Sequence, residues 1–372
     1  MAEWIDCKIA DWGTVIGGAT PSTKKLEYYE NGSIAWITPK DLSTFRGRYI
    51  RRGERNITEL GLKSCSTQLL PKNTVLFSSR APIGYIAIAE NELCTNQGFK
   101  SVIPNENTDP LFLYYLLKYN KNKIESMGSG TTFKEISGNT MKNIVVSVPR
   151  DKKVQEQISL MLGAIDNKIE SNEKINNNLE QQAIAIFDNM FPNISAAEKT
   201  IGDIIIPKRG KNLLSKNAIL GNVPVVAGGL NPSTYHNTAN TVAPVLSISA
   251  SGANAGYVNL WNIPIWSSDS SFIDSSMSND VYFWYVLLKK RQNEIYDSQT
   301  GSAQPHIYPQ HIAAMPICDL NFNKVSNYTS TVTPIFELIG HNKIENMRLI
   351  TIRDALVPKL ISGDLDVSNI SL

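Results

Sequence analysis

Two kinds of hydrophobic pattern alternate along the chain, and each occurs twice. Over residues 11–148 and again over 200–317, short runs rich in β-branched and aromatic residues are separated by Gly, Pro and Asn, which is typical of strands joined by turns. The predicted strands include 34–38, 74–77, 85–89, 144–148, 223–226 and 245–249. Each stretch also holds one aromatic helix candidate, which begins after Asp109-Pro110 in the first and around Asp280 in the second.

A helical period follows each of these stretches. Over residues 151–190, apolar residues recur mostly at three- and four-residue steps and form one stripe, until Phe191-Pro192 ends the pattern. The second helix is predicted to begin near Thr333-Pro334, and Pro358 is expected to bend or end it. The stripe residues predicted to form a helix-pair spacer are Ile158, Ile165, Ile175, Leu179, Ile344, Ile350 and Leu356.

Such long stripes need an apolar partner. A helix of about 35 residues is about 50 Å long, and this is too long to bury its stripe on one small β-rich domain. We therefore expect the two helices to pair as an antiparallel coiled coil, in which Asn172 and Gln182 specify the register. The alternative is that each helix packs only on its own domain.

The chain also contains an internal repeat. Val75-Leu-Phe-Ser-Ser79 corresponds to Val245-Leu-Ser-Ile-Ser249, and the aromatic helix that starts at Leu111 corresponds to the one that starts at Tyr282. Further matches, in the same order, are Gly84-Tyr-Ile86 with Gly256-Tyr-Val258, Gly128-Ser-Gly130 with Gly301-Ser-Ala303, and Asn167-Lys-Ile-Glu170 with Asn342-Lys-Ile-Glu345. Five matches in register indicate a duplicated unit.

Together these patterns predict an α+β fold in which two similar β-rich domains are each followed by a long helix. The predicted boundaries are 1–150 for the first domain, 151–192 for the first spacer helix, 193–325 for the second domain, and 326–372 for the second spacer helix and the C-terminal tail.

Composition narrows the class of protein. Of 372 residues, 42% are hydrophobic and 19% are charged, as expected for a globular protein with real cores. No apolar run approaches a membrane span and the first residues do not resemble a signal peptide, so we expect a cytoplasmic protein that does not enter a membrane. Four widely separated cysteines argue against a zinc ribbon or a disulfide framework and fit a reducing compartment.

No catalytic motif is present. The chain lacks a phosphate-binding G-x-x-x-x-G-K-[ST] loop, a G-x-G-x-x-G turn at the head of a βαβ unit, an H-E-x-x-H zinc motif and a G-x-S-x-G nucleophile elbow. The four histidines do not show metal-ligand spacing. We therefore expect no enzymatic activity, no metal and no cofactor in this chain.

Charge is distributed unevenly, although the formal net charge is only +2. The first 150 residues are basic, whereas residues 151–195 are acidic and rich in Asn and Gln. Five arginines lie between Arg46 and Arg55 among aromatic residues, and guanidinium groups contact both phosphates and guanine edges. The candidate DNA contacts of the first repeat are Arg46, Arg48, Arg51, Arg52, Arg80 and Lys134.

The second repeat carries different side chains at corresponding places. Ser249-Ala-Ser251 stands where the first repeat has Ser79-Arg80, and Gln304-Pro-His306 stands where it has Thr131-Thr-Phe133. The candidate contacts of this repeat are Lys208, Arg209, Lys211, Tyr235, His236, Ser249, Ser251, Gln304 and His306. Similar scaffolds with unlike contact loops indicate that one molecule recognises two unlike DNA sequences. For both repeats, the alternative is an ordinary solvated surface.

The sequence resembles the specificity subunits of type I restriction-modification systems over nearly its whole length. Besides the repeat, the resemblance rests on Thr20-Pro-Ser22 with Ile34-Ala-Trp-Ile-Thr38, on Val223-Pro-Val-Val-Ala-Gly-Gly229 and, most specifically, on the C-terminal Ile352-Arg-Asp-Ala-Leu-Val-Pro-Lys-Leu-Ile-Ser-Gly-Asp364. This last segment is similar to the typical family ending, with Ile352, Val357 and Asp364 as mild departures.

The resemblance implies a non-catalytic subunit with two target-recognition domains, each of which recognises one half of a split sequence in double-stranded DNA. It implies two modification subunits, which methylate adenine with S-adenosylmethionine, and restriction subunits, which cleave DNA with ATP and Mg²⁺. The alternatives are a specificity subunit of a multi-subunit type II restriction enzyme and a two-domain protein-interaction scaffold.

Overall fold

The computed structural model describes residues 3–130, 134–196, 198–301 and 304–367. The repeat residues Ser302 and Ala303 and the predicted loop segment 131–133 lie outside the described part. The chain divides into two compact units, one formed by residues up to 170 together with those from 347 on, and the other formed by 171–346. Both long helices cross this division, so each unit contains part of each helix.

The first unit combines short strands with short helices. Its strands are β1 (Trp4–Lys8), β2 (Gly13–Gly17), β3 (Ile34–Ile37), β4 (Tyr49–Ile50), β5 (Arg55–Ile57), β6 (Val75–Ser79), β7 (Ile83–Ala89), β8 (Cys94–Thr95), β9 (Lys100–Pro104) and β10 (Val145–Pro149). Its short helices are α1 (Ile9–Trp12), α2 (Pro39–Ser43), α3 (Glu59–Lys63), α4 (Pro110–Tyr119), α5 (Lys121–Ser126) and α6 (Gly138–Asn143), with a 3-10 turn at Leu26–Tyr28.

Three sheets organise this unit. The main sheet has the strand order β2-β9-β6-β7-β4, a smaller sheet has the order β5-β3-β8, and β1 pairs with β10. The central strand β6 is buried on both faces, including its two serines, Ser78 and Ser79. Its residue Phe77 packs with α4 on one face, and Leu76 packs with Ile37 and Phe99 on the other. The main sheet therefore lies between a helical layer and the smaller sheet.

The aromatic helix α4 begins where the sequence predicts. Asp109 caps it, because its carboxylate accepts a hydrogen bond of 2.7 Å from the amide of Phe112, and Pro110 occupies the first turn. The first long helix, α7 (Lys152–Met190), follows β10 and spans 39 residues, in agreement with the predicted helical pattern.

The second unit repeats this plan. Its strands are β11 (Lys199–Thr200), β12 (Lys208–Arg209), β13 (Val223–Val226), β14 (Thr234–His236), β15 (Val245–Ser249), β16 (Val258–Trp261), β17 (Trp266–Ser267), β18 (Ser270–Asp274) and β19 (Pro316–Ile317). Its helices are α8 (Val281–Lys290), α9 (Gln292–Asp297), α10 (Pro309–Ala313) and α11 (Phe322–Ile361), with 3-10 turns at Ile201–Asp203 and Ser215–Asn217.

The strand orders confirm the internal repeat. The main sheet of the second unit runs β12-β18-β15-β16, which matches β2-β9-β6-β7 of the first unit strand for strand. The smaller sheet runs β14-β13-β17 and matches β5-β3-β8, including one antiparallel and one parallel pairing. The pair β11-β19 corresponds to β1-β10. The two β-rich domains therefore share one topology, as the sequence predicted.

Within each unit the long helices pack together. In the second unit, Asn172 contacts Asn346, Asn176 contacts Asn342, and the hydroxyl of Tyr328 donates to the carbonyl of Ala183, so the pairing is antiparallel. In the first unit, Ile158 and Leu162 of α7 share one core with Leu360 and Ile361 of α11.

Tertiary packing shifts the buried face of these helices from the predicted stripe. Ile158 is buried, while Ile165, Leu179, Ile344 and Leu356 are half-buried. Ile175 and Ile350, by contrast, are 43% and 38% exposed. Asn172 is buried and hydrogen-bonded, as expected of a polar residue in a seam, whereas Gln182 is exposed. Hydrophobicity alone mislocates the seam because part of it consists of hydrogen-bonded polar side chains.

The second long helix also begins earlier than predicted. α11 starts at Phe322, not near Thr333-Pro334, and it continues through Pro358 to Ile361. Packing extends the helix, because its added first turns place three side chains in the core of the second unit. These are Val325, Tyr328 and Val332. Throughout the described ranges, no helix combines the length and apolar character that crossing a membrane requires.

We expect Phe187→Ala to destabilise the protein by about 3–5 kcal/mol, because the Phe187 ring is fully buried against Phe191, Phe283 and Tyr328. Ile175→Ala on the same helix is the matched control, and its exposed side chain should change stability by less than about 0.5 kcal/mol. Urea denaturation followed by circular dichroism measures both. Equal losses would contradict the observed helix phase and favour the predicted stripe.

Candidate nucleic-acid interface

Charged side chains converge at one end of the main sheet in the first unit. Arg80 directly follows β6, and Lys100 begins the neighbouring strand β9. The carboxylate of Glu135 joins them, at 3.3 Å from Nη1 of Arg80 and 3.3 Å from Nζ of Lys100. We call Arg80, Lys100, Lys134 and Glu135 the first sheet-end cluster.

A loop reaches this end of the sheet. Ser129 and Glu135 form a two-way backbone bridge, and the amide of Ile136 donates to the carbonyl of Ser79 at 3.0 Å. These bonds hold the base of the loop against β6. Lys134 is exposed beside this base. The structure therefore brings Arg80 and Lys134, which were predicted separately, to one surface.

The corresponding end of the second unit has a different set of side chains. The guanidinium of Arg209 lies 2.6 Å from the carboxylate of Asp269, which immediately precedes β18, and the hydroxyl of Ser251 donates to the same carboxylate. His306 bridges both Ser251 and Thr300 through its backbone, so the second loop is also tied to the sheet end. We call Arg209, Ser251, Asp269, Gln304 and His306 the second sheet-end cluster.

The imidazole and amide groups of this cluster are accessible. Gln304 is exposed and His306 is half-buried, with its ring stacked on Tyr308 at a centroid distance of 6.0 Å. Ser249, by contrast, is only 4% exposed. Its hydroxyl does not reach the surface, and we remove Ser249 from the predicted contacts.

The arginine-rich segment of the first unit separates into two groups. Arg46, Arg51 and Arg52 are exposed, as phosphate-contacting groups must be. Arg55 also faces solvent and lies over the ring of Tyr29, with 4.9 Å between its guanidinium carbon and the ring centroid. Arg48 is only 4% exposed, so we remove it from the predicted contacts.

Arg48 connects the recognition domain to the long helix within the first unit. Its Nε and Nη2 lie 2.9 Å and 3.2 Å from the two carboxylate oxygens of Glu170, and Nη2 also donates to the side chain of Asn167. Burial by itself lowers the pKa of Arg48, but its hydrogen bonds to Glu170 and the nearby carboxylate charges outweigh burial, and the pKa lies above its ordinary value. The backbone carbonyl of Arg48 accepts from Ile88 of β7 at 2.7 Å. Arg48 is thus a positioning residue.

The remaining candidates of the second unit lie at the edge strand β12 of the main sheet and on β14 of the smaller sheet. Lys208, Lys211 and Tyr235 are exposed. His236 is only 7% exposed: its Nδ1 accepts from the amide of Ile219 at 2.9 Å, and its ring packs edge-on against Trp266. We therefore assign His236 to the domain core instead of the contact surface.

Sequence reasoning missed the carboxylates of both clusters and the half-buried Lys100. Glu135 lies in a polar loop and Asp269 in a run of serines, and neither segment carries a motif. Only the topology brings these acids beside basic residues that are distant in sequence. Among the described residues, no group of three or more His, Cys, Asp or Glu side chains is arranged to hold a metal ion.

This chain is similar to known proteins both in sequence and in fold. The family described as "Type I restriction modification DNA specificity domain" matches residues 1–181. The type I restriction enzyme MjaIX specificity subunit of Methanocaldococcus jannaschii is 34% identical over 411 residues, which cover 99% of this chain and 95% of that protein. The crystal structure of a type I restriction-modification S subunit from M. genitalium has a TM-score of 0.62 at 19% identity, covers 96% of each chain, and supports the fold alone.

The matched family and the relative that is 34% identical over 99% of this chain define the class of protein as a DNA-specificity subunit. The chain belongs to the family of specificity subunits of type I restriction-modification systems. In such a system this subunit supplies DNA sequence specificity, and the enzymatic activities reside in partner subunits.

His236→Ala should lower stability by about 1–3 kcal/mol, because it removes a buried ring that packs on Trp266 and removes the acceptor of the Ile219 amide. The neighbouring Tyr235→Ala, which removes a ring that is 42% exposed, is the control for stability. Thermal unfolding measures both variants. If His236→Ala left stability intact and instead changed the salt dependence of DNA binding, its assignment to the core would be wrong.

Proposed function

We propose that the two β-rich domains recognise the two halves of a split, asymmetric DNA sequence. The observation that carries this proposal is the matching strand order of the two units with unlike side chains at equivalent sheet ends. A common scaffold places each contact surface similarly, and the different donors and acceptors select different bases. For these two recognition domains we keep the boundaries predicted from the sequence, 1–150 and 193–325.

The first domain has the more basic surface. We assign its DNA contacts to Arg46, Arg51, Arg52, Arg80 and Lys134. The second domain offers fewer cations and more hydroxyl, amide and imidazole groups. We assign its contacts to Lys208, Arg209, Lys211, Tyr235, Ser251, Gln304 and His306. The first domain accordingly contributes more phosphate affinity, while the second depends more on base contacts and on partner subunits for affinity.

The helices α7 and α11 set the gap between the half-sites in this proposal. Both contribute to both units, and hydrogen-bonded asparagine pairs hold their register within the second unit. Two half-sites recognised from one face of DNA lie about 34–36 Å apart, or a multiple of that distance. Helices of 39 and 40 residues, about 60 Å long at 1.5 Å per residue, are long enough to span such a distance.

We further propose that two modification subunits dock on this chain, with the acidic α7 as the protein-binding element. They methylate adenine with S-adenosylmethionine, and restriction subunits add ATP- and Mg²⁺-dependent cleavage of unmodified DNA. This assembly works in the cytoplasm. Methylation-aware sequencing of the host genome, with and without this gene, tests the whole proposal, because loss of one bipartite methylated motif is the expected result. An unchanged methylome would refute it.

Replacing Arg46, Arg51 and Arg52 together by Ala should weaken DNA binding by the complex with the modification subunits. Each lost phosphate contact lowers the slope of log affinity against log salt by about 0.9, so the slope should fall by up to about 3. The control removes three exposed lysines of the same unit, Lys63, Lys72 and Lys142. An unchanged slope in the arginine variant would instead favour the two-domain protein-interaction scaffold.

Lengthening both helices by one heptad should change only the distance between the two recognised half-sites. Seven residues inserted after Lys174 and seven after Ile344 preserve the pairing of Asn172 with Asn346 and of Asn176 with Asn342. The added length of about 10 Å corresponds to about three base pairs. The recognised gap should lengthen accordingly or binding should be lost, whereas any change in the half-site sequences themselves would contradict the spacer role.

A further inference from the structure

Both units place a carboxylate within the proposed DNA interface. Phosphates repel carboxylates, so an acid at this position opposes DNA binding unless it has another role. In the first unit the acid is Glu135, and in the second it is Asp269. Each is about one-third exposed, so each faces the surface to which DNA is proposed to bind.

The two acids do not come from equivalent positions in the repeat. Glu135 lies after α5, in the loop whose base is tied to Ser79, whereas Asp269 lies in the short turn before β18. The duplicated scaffold therefore does not account for both acids. Two different segments supply a carboxylate to the same end of the same sheet.

The partners of the two acids are also alike in chemistry. Glu135 accepts from Arg80 and Lys100, and Asp269 accepts from Arg209 and Ser251. Each carboxylate thus holds one arginine at the sheet end and occupies part of its guanidinium. An arginine held in one orientation can offer its remaining donors to a guanine edge, whereas a free arginine binds any nearby phosphate.

We infer that Glu135 and Asp269 are specificity-determining residues: each acid orients the arginine of its sheet end and suppresses phosphate contacts that do not depend on sequence. This inference rests on the proposed recognition of two half-sites. It assigns Glu135 to one half-site and Asp269 to the other. Removing an acid should therefore increase total DNA affinity while reducing discrimination.

Glu135→Gln and Asp269→Asn test the inference in the full chain assembled with its modification subunits. Binding is measured on three duplexes, which carry both half-sites, a substitution in the first, or a substitution in the second. Glu135→Gln should raise affinity for non-specific DNA about tenfold at low salt and steepen its salt slope by about 1. Of its two partners, Arg80 becomes free for phosphate, whereas Lys100 is only 16% exposed. Discrimination between the intact and the substituted duplex should fall about tenfold at one half-site only. Asp269→Asn should show the same loss at the other half-site.

Matched controls separate this effect from a simple change of charge. Glu3→Gln and Asp319→Asn each remove an acid from an exposed ion pair away from the sheet ends, with Arg150 and Lys199 respectively. Glu135→Asp keeps the negative charge and should keep non-specific affinity low. A structural defect would lower the active fraction equally for all duplexes and would leave the ratio of their affinities unchanged.

The results that overturn the inference differ from those that overturn the proposed function. If the wild-type complex shows no preference for either half-site, bipartite recognition itself is wrong. Discrimination is the ratio of affinity for the intact duplex to affinity for a duplex with one substituted half-site. If the wild type discriminates and Glu135→Gln leaves this ratio unchanged at both half-sites, or lowers it equally at both, only the role of the acids is wrong. An increase in non-specific affinity as large in Glu3→Gln as in Glu135→Gln would also overturn it.

Discussion

Hydrogen bonds between buried polar side chains determine how the two long helices pair, and the recognition domains depend on that pairing. In the second unit, Asn172 donates to Glu345 and Asn346 at 2.7 and 2.8 Å, and Asn342 donates to Asn176. A shift by one residue would break these bonds, among them those of Asn172, which is only 1% exposed, and an unsatisfied buried group costs about 1–3 kcal/mol. An all-apolar seam would tolerate such a shift more readily.

The first unit uses ionic contacts for the same purpose. Asp166 of α7 is buried and accepts from the Tyr115 hydroxyl of α4 at 2.6 Å and from Arg353 of α11 at 2.8 Å. Burial, reinforced by the adjacent carboxylate, raises the pKa of Tyr115 above its ordinary value, so the phenol remains a hydrogen-bond donor. Arg48 adds a second link from the recognition domain to α7. The helices α4, α7 and α11 are thereby held together by side chains that each need a charged or hydrogen-bonding partner.

This arrangement also explains the C-terminal segment that resembles the family ending. Arg353 pairs with Asp166, and Leu360 and Ile361 are buried in the core of the first unit. Gly363 adopts a positive φ of 82° beside the indole of Trp4, where any Cβ would approach that ring to 2.6 Å. The segment closes the first unit and is structural. The proposed base recognition lies elsewhere, at the sheet ends, where the two units carry unlike side chains on the same strand order.

The sequence by itself determined the repeat, the strand-rich domains and the two long helices, because periodic burial and local turn chemistry leave a direct record in residue order. The class of protein came from the resemblance of its motifs to those of a known family. Clustering of charge selected the arginines at 46, 51 and 52 as candidate contacts, but it selected the buried Arg48 with them. The tertiary structure alone decided that Arg48, His236 and Ser249 are buried, that the helix seam avoids Ile175, and that Glu135 and Asp269 stand beside arginines far away in sequence. Burial of a polar group is favourable only when a partner meets it, and that partner is brought there by the fold.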